Sequence, residues 1–218
     1  QSFKIMTITI NGNGTVTGIS VGGLPDGIVD TDMLADGAAT GAKQGAGSII
    51  QVVQNTTSST QNYASEDFQN TVVSCAITPL CNNSKFLIEA MIQFGLGGDD
   101  CAVSCNFSDS LHASGTTHPI APMTGDGGNG AAGSRMDAFF GFGSFAATST
   151  VDDYYIGNAT GRYLYTPASN NANARTFTTM IRSAEGINVR LNMNAHYNQS
   201  NPRDMRPESS MTIYEVKV

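Results

Sequence analysis

From residue 49 onward, short segments of alternating or β-branched character recur, and turn-forming residues separate them. IIQVVQ, TVVSCAITP, KFLIEAMIQFG, CAVSCNFS, AFFGFGSFAA, ARTFTTMIR, INVRLNMNAHY and SMTIYEVKV all have strand character. NNSK, GLGGDD, GDGGNG, SNNAN and SAEG lie between them and read as turns. A strand buries every second residue, so such segments need a second layer to cover the apolar set. Eight or more short strands without helical periodicity predict an all-β, antiparallel sandwich or jelly-roll-like head over residues 49–218. AEG at 184–186 predicts a tight hairpin between its flanking strands. In the closing SMTIYEVKV, alternation puts Met211, Ile213, Glu215 and Lys217 on one face and Tyr214, Val216 and Val218 on the other. Both faces are partly apolar, which predicts a strand inside a sheet that also touches a neighbouring subunit.

Residues 1–48 have a different texture. FKIMTITI and TVTGISV flank NGNG, a strong turn signal, and predict a hairpin. Residues 11–48 hold ten glycines and few large apolar groups. Such a segment cannot bury enough apolar area to offset its own ordering entropy. Its spaced aliphatics, Ile19, Val21, Leu24, Ile28, Val29, Met33 and Leu34, exceed what a plain linker needs. They predict an N-terminal anchor and thin shaft that finds its core on neighbouring chains, with a homotrimer as the expected assembly. A short helix around DTDMLADGAAT, capped by Asp30 or Thr31, is a further expectation.

Charge narrows the partners. Only 13% of residues are charged, against about 25% in ordinary soluble domains. The net charge is −7 and the 11 basic residues form no run. Nucleic acid and anionic membranes, which are held chiefly by clustered Lys and Arg, are poor partners. No apolar run approaches the roughly 20 residues that span a bilayer. The opening QSFKIMTITINGNG lacks the basic and apolar regions of a signal peptide, so none is expected. Cys75, Cys81, Cys101 and Cys105 are then expected as reduced thiols, and their spacings do not form the C-x2-C pairs of a zinc site.

Catalytic constellations are weak throughout. Ser110, His112 and Ser114 sit close in DSLHASG, but this is not a nucleophile elbow. LGGDD and GDGGNG lack the Lys-Ser/Thr of a phosphate loop and read as turns. Asp99 with Asp100, and Asp126 with Asn129, offer oxygens suited to calcium, although hydrated turns are the plainer reading. Asp30, Asp32 and Asp36 mimic part of a calcium loop without its closing Glu. No cofactor is expected.

Two aromatic groups stand out. Phe139, Phe140, Phe142 and Phe145 in AFFGFGSF read as a core strand in which glycine lets rings pack closely, or else as a ring cluster at a subunit interface. Tyr154, Tyr155, Tyr163 and Tyr165 lie near Asn- and Ser-rich loops. Packing tyrosines are the plainer reading. The alternative is an adhesion surface, since tyrosine joins an apolar face to a hydroxyl.

IIQVVQ at 49–54 followed by AITPLCNNSKFLIEAMIQ at 76–93 resembles a pattern of tailed-phage fibre proteins, especially marine and cyanobacterial ones. There a Q-V-V-Q strand precedes an I-T-P-x-x-x-x-S-K-I-L-V strand pair. Arg162 to Pro167 resembles that family's Y-x-D-x-P region, with Thr166 where Asp is usual, and RLNMNAHYNQS resembles its Y-I-N-R-S strand and loop. RPESSMTIYEVKV resembles its closing R-G-x-S-x-I-T-V-M-E-V strand, with Arg206, Ser209, Thr212, Glu215 and Val216 in matching places and Pro207 and Glu208 replacing the glycine stretch. The resemblance covers residues 49–218 and implies a homotrimeric β head on a virion fibre. Residues 1–48 would attach it to other virion proteins, the head would meet a host surface glycan or protein, and no enzymatic activity is implied. A head fibre or capsid decoration protein is the alternative. A glycan-degrading tailspike is a third reading, and would need two of Glu66, Asp67, Asp137, Asp152, Asp153 and Glu185 paired in a groove.

Overall fold

The computed structural model describes residues 9–10, 16–17, 43–96, 102–123, 137–143, 156–168, 172–183, 186–194 and 205–218. The chain divides into two units, Gln1–Thr40 and Gly41–Val218. In the first, β1 (Thr9–Ile10) pairs antiparallel with β2 (Val16–Thr17), the pairing that a hairpin requires. The aliphatics Ile19 to Leu34, the helix expected around residues 30–40 and the acidic positions 30, 32 and 36 lie outside the described residues.

The second unit is all-β, with ten antiparallel strands among its described residues. They are β3 (Ile49–Thr57), β4 (Gln61–Tyr63), β5 (Gln69–Ile77), β6 (Lys85–Leu96), β7 (Ala102–Asp109), β8 (Phe140–Gly143), β9 (Gly157–Tyr165), β10 (Arg175–Ser183), β11 (Val189–Leu191) and β12 (Ser209–Val216). One sheet has the order β5-β10-β7-β8. The other has the order β3-β12-β6-β11-β4, with β9 also on β6. β6 is the spine of this second sheet. Its Phe86 to Phe94 pair with β9 along one side, while β12 pairs with Lys85 to Met91 and β11 with Phe94 to Leu96 along the other, so two strands follow each other on the side opposite β9.

The two sheets face each other as a sandwich. Phe86 of β6 meets Phe177 of β10 at 5.3 Å between centroids, and Phe94 meets Phe142 of β8 at 5.6 Å. Ile88, Ile92, Phe107, Ile181, Met211 and Ile213 complete a fully buried interior. At 25 cal/mol per Å² or so of apolar area removed from water, this interior is the chief stabilising contribution.

The expected hairpin at 184–186 does not form. β10 belongs to the four-stranded sheet and β11 to the six-stranded one, so the chain crosses between layers there. Two short apolar runs flanking a turn residue look alike whether they pair with each other or part to opposite sheets. β4 and β9 are strands absent from the pattern reading. β4 has three residues, too few for a period. In β9 the inward positions are Gly157, Ala159, Gly161, Tyr163 and Tyr165, so small residues hide the apolar alternation.

The aromatic cluster explains those glycines. Phe139 and Phe140 pack on Phe107, and Phe139 also packs on Tyr163 at 5.4 Å. A Cβ on Gly161 would lie 2.4 Å from the Phe140 ring, and one on Gly157 would lie 3.1 Å from Phe94. Phe139, Phe140 and Phe142 are therefore half-buried and pack against the sandwich interior, while Phe145 lies outside the described residues.

Candidate functional site

The outward faces of the two sheets differ in kind. On the four-stranded sheet the outward residues of β7 are Ser104, Asn106 and Ser108, all buried, because the chain's own loop roofs them. Asn106 Nδ2 donates to the Ala121 carbonyl and its Oδ1 accepts from the Ala121 amide, both at 3.0 Å. Asn70 Nδ2 donates to the Thr116 carbonyl at 2.9 Å, and Ser108 donates to Asn70 Oδ1. Along β7 this side is polar, small and closed.

The outward face of the six-stranded sheet is open. Register places Val52, Tyr214, Leu87 and Leu164 in one row across β3, β12, β6 and β9. Val52 is 54% exposed and Leu164 50%. The next row is Gln54, Thr212, Glu89 and Arg162, and the one after it Thr56, Ser210, Met91 and Thr160. At the other end, Ile49 and Lys85 flank Val216.

The polar row is internally satisfied. Arg162 Nε lies 2.8 Å from Glu89 Oε1, and Gln54 Nε2 donates to Thr212 Oγ1 at 3.0 Å. The Tyr214 hydroxyl donates to Glu89, and this bond, together with the carboxylate charge, raises the tyrosine pKa against the opposing pull of Arg162. A depression of about 280 Å³ lies between Met91, Thr160, Ser210 and Thr212, beside the Glu89–Arg162 pair. Contiguous apolar patches in water are characteristic of interaction surfaces.

A second constellation is buried and architectural. Glu215 is fully buried on the inner face of β12. Its Oε1 and Oε2 each accept from the Leu80 amide at 2.9 Å, and Oε1 also accepts from the Cys81 amide at 3.1 Å and from the Ser84 hydroxyl. Gln51, with its amide nitrogen turned inward, donates to Glu215 Oε2 at 3.0 Å and to the Thr78 carbonyl at 3.2 Å. A buried carboxylate is tolerated only with such a set of donors. The strand pattern placed Glu215 in phase with Met211 and Ile213, but no local signal distinguishes a buried acid from an edge-exposed one.

Arg175 and Asp109 form a third group. Arg175 Nη1 lies 2.8 Å from Asp109 Oδ2, with both side chains 1% exposed, and the guanidinium sits over the Phe86 ring at 5.0 Å. The Tyr165 hydroxyl donates to Asp109, and burial first, then that carboxylate, pushes its pKa up to about 12.

Of the four adhesion tyrosines, Tyr154 and Tyr155 lie outside the described residues. Tyr163 is half-buried against Phe139, and Tyr165 is buried against Phe177. Both point into the sandwich, whereas Tyr214 stands on the open face. In the DSLHASG loop, the Ser114 amide donates to His112 Nδ1 at 3.2 Å and the Thr176 amide donates to Ser110 Oγ at 2.9 Å, so each group has a structural partner. The His112 and His118 rings stack at 4.7 Å. Cys75, Cys81 and Cys105 are free, and burial raises the thiol pKa of Cys75 and Cys105, which makes them poor nucleophiles. Cys101, Asp99, Asp100, Asp126 and Asn129 lie outside the described residues, as do Asp152, Asp153 and Glu185. Glu66 and Asp67 are exposed, and Asp137 uses its backbone carbonyl to accept from Ser104 and Arg182. Among the described residues no three His, Cys, Asp or Glu side chains gather as metal ligands, and no helix is long and apolar enough to cross a membrane.

No family model matches the chain, and no curated protein matches it.

Proposed function

We propose that this chain is a non-catalytic structural virion protein of a tailed phage. It forms a homotrimeric fibre whose β head is the Gly41–Val218 sandwich and whose glycine-rich N-terminal part serves as anchor and shaft. The fibre sits on the virion and attaches it to a host surface glycan or protein.

The observation that supports this reading is a convergence. The segments that resemble fibre proteins are far apart in sequence: IIQVVQ, AITPLCNNSK and the closing SMTIYEV. In the fold, Gln51 from the first, Thr78, Leu80, Cys81 and Ser84 from the second, and Glu215 from the third share one buried hydrogen-bond cluster. Short motifs that match independently would have no reason to meet. Groups bound to one carboxylate do, because loss of the Glu215 carboxylate leaves the Leu80 and Cys81 amides without that acceptor, at a cost of about 1–3 kcal/mol each.

The test is immunoelectron microscopy of tailed-phage particles assembled with this chain, using antibody raised against the purified protein. Label on projecting fibres is the expected result. Particles free of label, with the protein recovered only from the soluble fraction, overturn the proposal.

A further inference from the structure

We infer that the open face of the six-stranded sheet is where three copies of this chain meet. They stand about a threefold axis parallel to the strands, with the β3 edge of each copy against the β9 edge of the next. This rests on the trimeric reading above and adds to it the surface, the arrangement and the residues.

Apolar exposure is concentrated on this face. Among the described residues the exposed large hydrophobic side chains are Ile49, Val52, Leu80, Met91, Met123, Leu164, Met205 and Val218, and Ile49, Val52, Met91 and Leu164 all stand on it. The opposite outer face is covered by the chain's own loop and carries serine and asparagine. Among the described residues the chain thus roofs β7 of one sheet and leaves this face of the other in water.

Charge favours a second copy as the occupant. The chain carries −7 overall, so copies repel through most of their surface. Within β3, β12, β6 and β9 the outward charged residues are Lys85, Glu89 and Arg162, two cations and one carboxylate. Association here escapes the general repulsion. Glu89 is already paired with Arg162 and accepts from Tyr214, so burying it strands no charge.

Size favours three. Four strands spaced about 4.8 Å apart make a face about 19 Å wide. Three such faces closing a triangular prism leave about 5.5 Å from axis to sheet, near half of the roughly 10 Å separating packed sheets. One layer of side chains fills that space. Rows run across the strands, so an axis along the strands keeps each row level between copies. Val52 of one copy then meets Leu164 of the next, while Tyr214 and Leu87 fill the axis.

The test uses light scattering on the full chain and on Val52→Glu, Leu164→Glu and Met205→Glu, the last being an exposed apolar site outside these strands. The expected masses are a trimer for the wild type and Met205→Glu, and a threefold drop for the two face variants with unchanged far-UV circular dichroism. A trimeric wild type whose face variants also stay trimeric overturns this inference and leaves the fibre reading standing. A monomeric or dimeric wild type overturns both. Should the glutamate variants misfold, Val52→Cys with Leu164→Cys decides. A short bismaleimide should link copies into covalent trimers only in the double variant, and a trimeric double variant without cross-copy product refutes the arrangement.

Discussion

Gly161 is the position where one missing carbon matters most. Any Cβ there would meet Phe140 Cδ1 and Cγ, atoms at the root of a ring that is itself wedged against Phe107 and Phe139. The ring cannot swing away without disturbing both neighbours. Gly161→Ala is expected to cost about 1–3 kcal/mol as overpacking, read as a lower denaturation midpoint with an unchanged m-value. Ionisation gives a second expectation. Burial raises the pKa of Tyr63 and of Tyr165 from 10.0 to about 12. Between those values the unfolded tyrosines have lost their protons and the folded ones have not. Stability is therefore full below pH 10 and falls as pH rises toward 12, the unfolded state binding fewer protons there. Thermal melts across that interval should decline, and Tyr63→Phe should flatten the decline. A midpoint independent of pH across the interval would contradict the burial of these hydroxyls.

Among the elements, the closing strand has the most to hold. β12 pairs with β3 along one side and with β6 along the other, so it is an interior strand of its sheet. Its inner row carries Met211 and Ile213 into the sandwich and then, unusually, Glu215. That carboxylate fastens the β5–β6 connection, residues 78–84, onto a strand from the far end of the chain. Glu215→Ala would leave the Leu80 and Cys81 amides without this acceptor and the Ser84 hydroxyl with only its bond to the Cys81 carbonyl at 3.3 Å, a loss of about 1–3 kcal/mol. Amide exchange at Leu80 and Cys81 should rise by orders of magnitude relative to strand β6. Exchange rates unchanged at both amides would show that water or another group takes over and that Glu215 is not the fastener. β9 teaches a related point. It is a regular nine-residue strand whose inward side was emptied to admit phenylalanine rings from β6 and β8.

For the molecule as a whole, the proposed trimer would have its association in the Gly41–Val218 unit. A chain starting at Gly41 is accordingly expected to keep the trimer mass and to melt within a few degrees of the full protein. If the shortened chain is monomeric at micromolar concentration, association resides instead in the first 40 residues, where the spaced aliphatics predicted a shaft. The two outcomes differ because a sheet face about 19 by 30 Å offers a continuous surface of about 570 Å² in outline, divided between two neighbours. A glycine-rich segment offers far less apolar area per residue.

Local alternation was enough to read the class of the fold, the antiparallel strands β3, β5, β6, β7, β10 and β12, and the phase of the closing strand. Side-chain alternation is a property of the backbone that each segment carries by itself. Glycine-filled β9 and three-residue β4 escaped because their strand character comes from what packs beside them. The hairpin expected at 184–186 failed for the same reason, since pairing partners are chosen by the sheets and not by the turn. The open face was invisible to pattern alone: Val52, Leu87, Leu164 and Tyr214 come from four separate segments, and only register sets them in one row. The sequence determined which side of each strand is apolar. Tertiary structure decided which of those sides was left in water, because covering a face depends on where distant loops go.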